Sequence, residues 1–458
     1  MLNVNQDVGF QPAVGGAQAA SAPPPASPIP LAPVLSAASF LHRGHPAVRS
    51  IVDAGPARLV TSGRVAIALA LREMAVGAGD EVLVPAYHCA SMIEPVIWSG
   101  ALPVFYRIRR NTEIDLEDLA RRVTPRTKVL MATNYFGFPQ PLDKLRAFCD
   151  GHGIQLLEDC AHSFLGEYQG KPLGSFGDYA IASSMKFLPI YEGGCLVSAR
   201  HALDGVRLRS AGAGFEAKVA INALEEGCQY RRLGLLRHLL ALPMALKNAL
   251  WQRMKARNPA RAQPLSPGSS EGGFSFDPAW LDKRSSVYSR LMLRLVSRRR
   301  MGALRRRHYI RLHAALADLP GCRPLFPALP DHVYPWVFPL WVEQPRQVFA
   351  ALKRGAVPVL RFGEFLWPDA GAAVCDASVE LSRHVMQFPC HQELRDDELE
   401  WMIVQIRAAL TAGSHWVMPS NRAPPGRVRI KASSRRGKSS GASAPGRSSH
   451  KVTGACDG

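Results

Sequence analysis

Paired cysteines are missing from this 458-residue sequence. Its nine cysteines stand at 89, 149, 160, 195, 228, 322, 375, 390 and 456, with no CxxC pair and no His/Cys group at zinc spacing. That argues against a structural zinc site or a disulfide framework and predicts free thiols in a reducing cytoplasm, with no metal. No basic residue precedes Arg43, so the opening lacks the positive-then-apolar order of a secretory signal. No apolar run reaches the ~18 residues expected of a bilayer span. Charged residues make up 20% and aromatics 8%. The basic C-terminal tail carries a single aromatic, Trp416, so it lacks the interleaved stacking residues of a nucleic-acid binder, and no specific nucleic-acid partner is expected.

Hydrophobic residues are plentiful at 47%, enough for a large core, which excludes a disordered or collagen-like chain. The net charge of +19 is unevenly spread. Residues 421–458 carry +8, 227–261 another +8, and 297–308 six arginines, leaving the rest of the chain slightly acidic. The overall basicity is therefore a poor guide to the substrate. Composition divides the chain into an Ala/Pro-rich flexible arm (1–38), a large α/β domain (39–215), a basic helical insert with a connecting helix (216–310), a smaller C-terminal α+β domain (311–411) and a basic disordered tail (412–458).

Between about residues 60 and 200, helical and strand patterns alternate, the signature of a mostly parallel sheet. VAIALALREMAVGAGD reads as a helix, EVLVPA as a strand, ASMIEPVIWSG as a helix bent at Pro95, and LPVFYRI as a strand. DLEDLARRV is a short helix with Asp115 at its start, KVLMATNYFG a strand, PLDKLRAFCDGHG a helix, and IQLLEDCA a strand ending in polar residues. YAIASS and GGCLVS are further buried strands. Ligands of such sheets bind at the strands' carboxyl ends. Farther on, HVYPWVFPLWV predicts a strand, with PRQVFAALKRG and DDELEWMIVQIRAAL as helices.

Residues 156–194, LLEDCAHSFLGEYQGKPLGSFGDYAIASSMKFLPIYEGG, carry the chemistry. Asp159 ends a buried strand, Lys186 follows 27 residues later, and Glu192-Gly193-Gly194 comes next. Together with SGRVAIALAL, GDEVLVPAY, the SFGD turn and the late VMQFPCHQEL, this resembles the DegT/DnrJ/StrS family of pyridoxal-phosphate sugar aminotransferases, of the aspartate-aminotransferase (type I) fold. The resemblance runs from about Thr61 to Leu410.

The resemblance implies that Lys186 carries pyridoxal 5'-phosphate covalently and later shuttles a proton, a task needing an amine that is neutral part of the time. It implies that Asp159 hydrogen-bonds the pyridine nitrogen, and that His162 lies against the cofactor's phenolic oxygen. The phosphate would sit on the turn Ser62-Gly63-Arg64 at a helix start and on Ser183, with Ser184 as the alternative register. Arg64 departs from the family's small hydroxyl residue. Where the family stacks an aromatic on the ring, the register gives Cys89, with Tyr87 or His88 as candidates to stack instead. Asn134, Tyr135 and Glu192 are candidate substrate contacts.

The implied reaction moves an amino group from Glu or Gln to a nucleotide-linked keto sugar, in amino-sugar or polysaccharide biosynthesis. Retention of Lys186 sets the chain apart from the family's dehydratase-like branch, which carries His there. Two other readings stay open: a pyridoxal-phosphate enzyme for a non-sugar substrate, and a non-catalytic regulator. The family also implies a homodimer. Residues 231–257, RRLGLLRHLLALPMALKNALWQRMKAR, are apolar at helical spacing among basic residues. They suit either an interfacial helix on an anionic membrane or packing against protein.

Overall fold

Apolar segments too short for helices pair into one seven-stranded sheet. In the computed structural model, which describes residues 25–41, 48–234, 236, 238, 239 and 276–414, the strands are β1 (Ala57–Val60), β2 (Glu81–Pro85), β3 (Leu102–Tyr106), β4 (Thr127–Thr133), β5 (Gln155–Asp159), β6 (Glu167–Tyr168), β7 (Lys171–Pro172), β8 (Tyr179–Ala182) and β9 (Gly194–Val197). The large sheet runs β1-β9-β8-β5-β4-β2-β3, and β6 pairs with β7 as a separate ribbon. Strands β3, β2, β4, β5 and β8 are mutually parallel, while β9 runs antiparallel to both neighbours. β2 and β8 are buried along their whole length, as a sheet covered on both faces requires.

The crossover helices follow from local chemistry. Ser62 caps α1 (Gly63–Glu73) by accepting the Val65 N–H at 3.2 Å. α2 (Ala90–Trp98) runs through Pro95 as one helix. Asp115 caps α3 (Leu116–Arg122), accepting from Glu117 and Asp118. α4 (Leu142–His152) ends on Gly153 in the left-handed conformation.

Beyond the sheet, helices span Ala213–Gln229, Val287–Leu295 and Arg298–Leu316. A three-stranded antiparallel sheet then forms from β10 (Cys322–Pro324), β11 (Val337–Val342) and β12 (Val385–Pro389), with helices Pro345–Arg354, Asp376–His384 and Asp396–Ser414. β12 lies within the VMQFPCHQEL segment. Among the described residues, no helix is long and apolar enough to cross a membrane.

The arm read as free over 1–38 is docked from residue 25 onward. Ile29, Val34 and Leu35 are buried. Ser36 and Ser39 donate to the Glu393 carboxylate at 2.5 and 3.1 Å, and His391 Nε2 lies 2.9 Å from the Pro30 carbonyl. A Pro-rich segment makes few hydrogen bonds of its own; here side chains of a late loop supply them. Residues 1–24 lie outside the described residues, as do nearly all of the amphipathic stretch 231–257 and the tail beyond Ser414.

Candidate functional site

Parallel strands place their carboxyl ends on one edge, and the segments leaving β1, β2, β4, β5 and β8 converge there. Ser62, Gly63, Arg64, Cys89, Thr133, Asp159, His162, Ser183 and Lys186 all line one pocket with about 600 Å³ of space between atoms, open solvent included. Ile67, Ser91, Met92, Ala161, Ile181, Met185 and Phe362 complete the wall.

Asp159 is buried at the end of β5. One carboxylate oxygen accepts the Ala161 N–H at 2.9 Å and the other the Thr133 hydroxyl at 3.2 Å. Burial raises its pKa, opposed by the Ala161 N–H, the Lys186 charge and the Thr133 hydroxyl. Lys186 closes the single turn Ser184–Lys186 after β8. Its amine sits over the Trp336 ring, 4.3 Å from the centroid. Burial lowers its pKa, against the opposing pull of Cys89 and Asp159.

His162 is buried and stacked on Trp336, with centroids 4.1 Å apart, while Phe362 meets it edge-on. Its Nδ1 accepts a long, 3.4 Å bond from the Phe136 N–H, which leaves Nε2 as the proton-bearing nitrogen. Burial and the Lys186 charge hold its pKa well below the usual imidazole range, so the ring is neutral. Phe136 itself is held at φ 58°, a strained conformation for a bulky residue.

The start of α1 forms the pocket's anionophilic end. The amides of Gly63 and Arg64 precede the first intrahelical bond, from the Ala66 N–H to the Ser62 carbonyl. The Arg64 side chain turns toward Glu94, 3.3 Å away, and both side chains are nearly buried. Gly194 permits this turn to lie against the sheet: a Cβ there would come within 2.4 Å of the Ser62 carbonyl carbon and oxygen.

Several expected contacts lie elsewhere. Tyr87 and His88 do not line the pocket. Tyr87 is buried against Tyr135 and Phe362. His88 Nδ1 lies 3.0 Å from the Ala86 carbonyl, and its Nε2 accepts the Trp367 N–H. Past the end of β2 the chain turns so that Cys89 faces the pocket while Tyr87 and His88 both enter the core. Asn134 and Tyr135 are also core residues: the Asn134 amide donates to Glu158 and accepts from the Gln140 N–H, and the Tyr135 hydroxyl donates to the Tyr87 carbonyl. Glu192 faces away, accepting from the Ser285 hydroxyl and from the Ser286 N–H and hydroxyl. A buried carboxylate with so many donors is an anchor rather than a substrate contact.

The sequence reading omitted Thr133, Phe362 and Trp336. Thr133 was legible as the last residue of a strand neighbouring β5. The other two come from distant segments, and no spacing rule connects them to Lys186.

The donor set suits pyridoxal phosphate: a buried carboxylate for a pyridinium, an amine with lowered pKa, and helix-start amides with hydroxyls for a phosphate. Lys186, Asp159, Ser62, Gly63, Arg64 and Ser183 would hold it.

Comparison with known proteins agrees. Over 145 residues the chain is 36% identical to GDP-perosamine synthase of Vibrio cholerae, covering 31% of this chain and 40% of that one. It is 36% identical over 165 residues to the spore coat polysaccharide biosynthesis protein SpsC of Bacillus subtilis, covering 35% and 42%. The chain thus aligns with about 40% of the length of these curated relatives. Among solved structures it superposes on Helicobacter pylori PseC, an aminotransferase involved in the biosynthesis of pseudoaminic acid, with a TM-score of 0.56 at 16% identity, over 79% of this chain and 89% of that one. The architecture is that of the pyridoxal-phosphate-dependent type I enzymes. Residues 47–227 match the model of the DegT/DnrJ/EryC1/StrS aminotransferase family.

Proposed function

We propose that the protein is a pyridoxal-phosphate-dependent aminotransferase that moves an amino group from Glu or Gln to the keto carbon of a nucleotide-linked sugar, in amino-sugar or polysaccharide biosynthesis. The observation that carries this reading is the meeting of Asp159, Lys186 and the α1 start around one pocket, from three separate segments. The bound cofactor supplies an electron sink that acidifies the carbon bearing the amine. Asp159 would hold a proton on the ring nitrogen, and the amides of Gly63 and Arg64 with the hydroxyls of Ser62 and Ser183 would hold the phosphate. Lys186 Nζ would move a proton between the amine-bearing carbon and the cofactor carbon on the other side of the shared nitrogen. Its lowered pKa leaves more of it in the neutral form that can do so. His162 Nε2 would donate toward the phenolic oxygen, and the ring's neutrality avoids a second cation beside Lys186.

The working unit in this reading is a homodimer, which light scattering in solution tests. None of the eight described cysteines is joined in a disulfide to another, which supports a reducing, cytoplasmic setting. A screen of keto-sugar nucleotides with Glu and Gln, read by the mass of the amino sugar, tests the reaction. Formation of an amino-sugar nucleotide by the wild type and its loss in Lys186→Ala is the expected result; no product from any keto sugar removes the sugar assignment.

A further inference from the structure

Lys186 ends a single helical turn, an element too short to fix its own exit. What fixes it is a buried cation from a distant helix. Arg305, on the helix Arg298–Leu316, has no solvent exposure. Its Nε donates to the Gln392 side-chain oxygen at 3.0 Å, and Nη1 to the carbonyls of Pro335 and Trp336 at 3.1 and 2.9 Å. Nη2 donates to the Lys186 carbonyl at 3.1 Å, and the guanidinium plane lies 4.4 Å from the Phe187 ring centroid. Gln392 completes the frame, its amide donating to the Phe187 carbonyl at 2.8 Å. These partners are all neutral, and the acid acting on Arg305, Glu393, does so through space. Burying a guanidinium without a directly bonded carboxylate is expensive, and an aliphatic side chain would fill the volume without that cost. A planar fork is what can gather several carbonyls from separate segments into one plane.

We propose that Arg305 is the positioning residue of Lys186: its fork locks the carbonyls of Lys186 and Trp336 into one frame and so keeps the lysine amine under the indole ring. This rests on the reading of Lys186 as the cofactor-bearing lysine. The Trp336 N–H is also bonded to the Phe136 carbonyl at 2.8 Å, so the ring is fixed from both sides of its backbone. The groups facing the amine are Asp159 from β5, Cys89 from the head of α2, His162 from the loop after β5, and Trp336; Arg305 acts through the backbone. Loosening the frame lets the amine leave the indole ring and admits water to it, which returns Lys186 toward an ordinary lysine.

The test is competitive acetylation of the cofactor-free protein with acetic anhydride, followed across the alkaline range by peptide mass, with exposed Lys144 as the internal reference. In Arg305→Gln, Lys186 is expected to label roughly tenfold more slowly near neutrality, one pKa unit being a factor of ten in the neutral amine. Arg305→Lys, which keeps a buried donor for these carbonyls and loses the fork, is expected to recover part of that loss. A role in packing alone would lower the melting temperature and leave the Lys186 profile on that of the wild type. An unchanged profile in folded Arg305→Gln overturns the proposal. Should that variant fail to fold, Gln392→Leu is read the same way: slower Lys186 labelling supports the frame and an unchanged profile overturns it. Incubation of the wild type with pyridoxal phosphate, borohydride reduction and peptide mapping tests the cofactor reading separately, because the acetylation comparison needs no cofactor.

Discussion

Glu158 and Asp159 are neighbours at the end of one buried strand, yet they serve opposite faces of the sheet. Glu158 is saturated. Its oxygens accept from the backbone N–H groups of Gly174, Phe176 and Gly177 and from the Asn134 amide, which ties the SFGD loop to the sheet. Asp159 receives one backbone N–H and one hydroxyl and faces the pocket with Lys186. Burial raises the pKa of both. A displaced pKa therefore does not separate the two roles; the number of donors already committed to the carboxylate does.

The strongest way to break the contrast lies across the pocket. Lys186→Ala should abolish the borohydride-trapped pyridoxyl peptide and lower transamination by at least roughly a thousandfold, the scale of a lost proton shuttle. Its melting temperature should hold or rise, because a buried amine is removed. An adduct that persists on another lysine would move the chemistry off this face.

Next come the two acids themselves. Asp159→Asn should lower kcat by roughly 100- to 1,000-fold with little loss of stability, as expected for removal of a preorganised charge. Glu158→Gln should do the reverse. It turns one acceptor oxygen into a donor facing backbone N–H groups, costing about 1–3 kcal/mol in urea unfolding, while kcat per folded molecule is retained. Equal stability losses in the two variants would erase the distinction.

Acid sharpens the same comparison through the histidines. His88 and His308 are buried, with pKa values lowered to about 4 chiefly by desolvation. In the unfolded chain each takes a proton near pH 6.5. Between pH 6.5 and 4 the unfolded state therefore binds more protons, and stability falls as the pH falls. Moving from pH 7 to 5 should cost roughly 1–2 kcal/mol for each such histidine, measured by urea unfolding. His88→Leu should flatten part of that slope without touching the pocket.

The parallel sheet was legible because apolar strands and amphipathic helices alternate with different periods, and Asp159 and Lys186 were legible through the family resemblance of their segment, Asp159 at a strand end and Lys186 in the turn just past one. Tyr87, His88, Asn134 and Tyr135 stand at such places too, yet they point into the core. Past a strand end, the direction of a side chain depends on the loop's dihedrals, which sequence pattern does not fix. Glu192 was misread for a related reason: its serine partners lie some 93 residues away in sequence. Trp336 and Arg305 left no local signal, since Lys186 lies 150 and 119 residues away from them in sequence. The arm was misread because composition reports on what a segment can do alone, and its partners lie at the other end of the chain.

The smallest expected effect concerns that arm. Glu393 resembles Glu158 more than Asp159: it accepts from Ser36 and Ser39 and pairs with Arg300 at 2.7 Å. Removing both hydroxyls in Ser36→Ala/Ser39→Ala leaves the carboxylate its arginine, so the loss should be only about 1–2 kcal/mol, seen in urea unfolding and as faster proteolysis of the arm. Transamination per folded molecule should not change if Glu393 is an anchor. But Glu393 adjoins Gln392, which bonds both Arg305 and the Phe187 carbonyl. If the double variant also slows Lys186 acetylation, the arm is mechanically linked to the reactive lysine, and saturation of a carboxylate no longer suffices to assign it to structure alone.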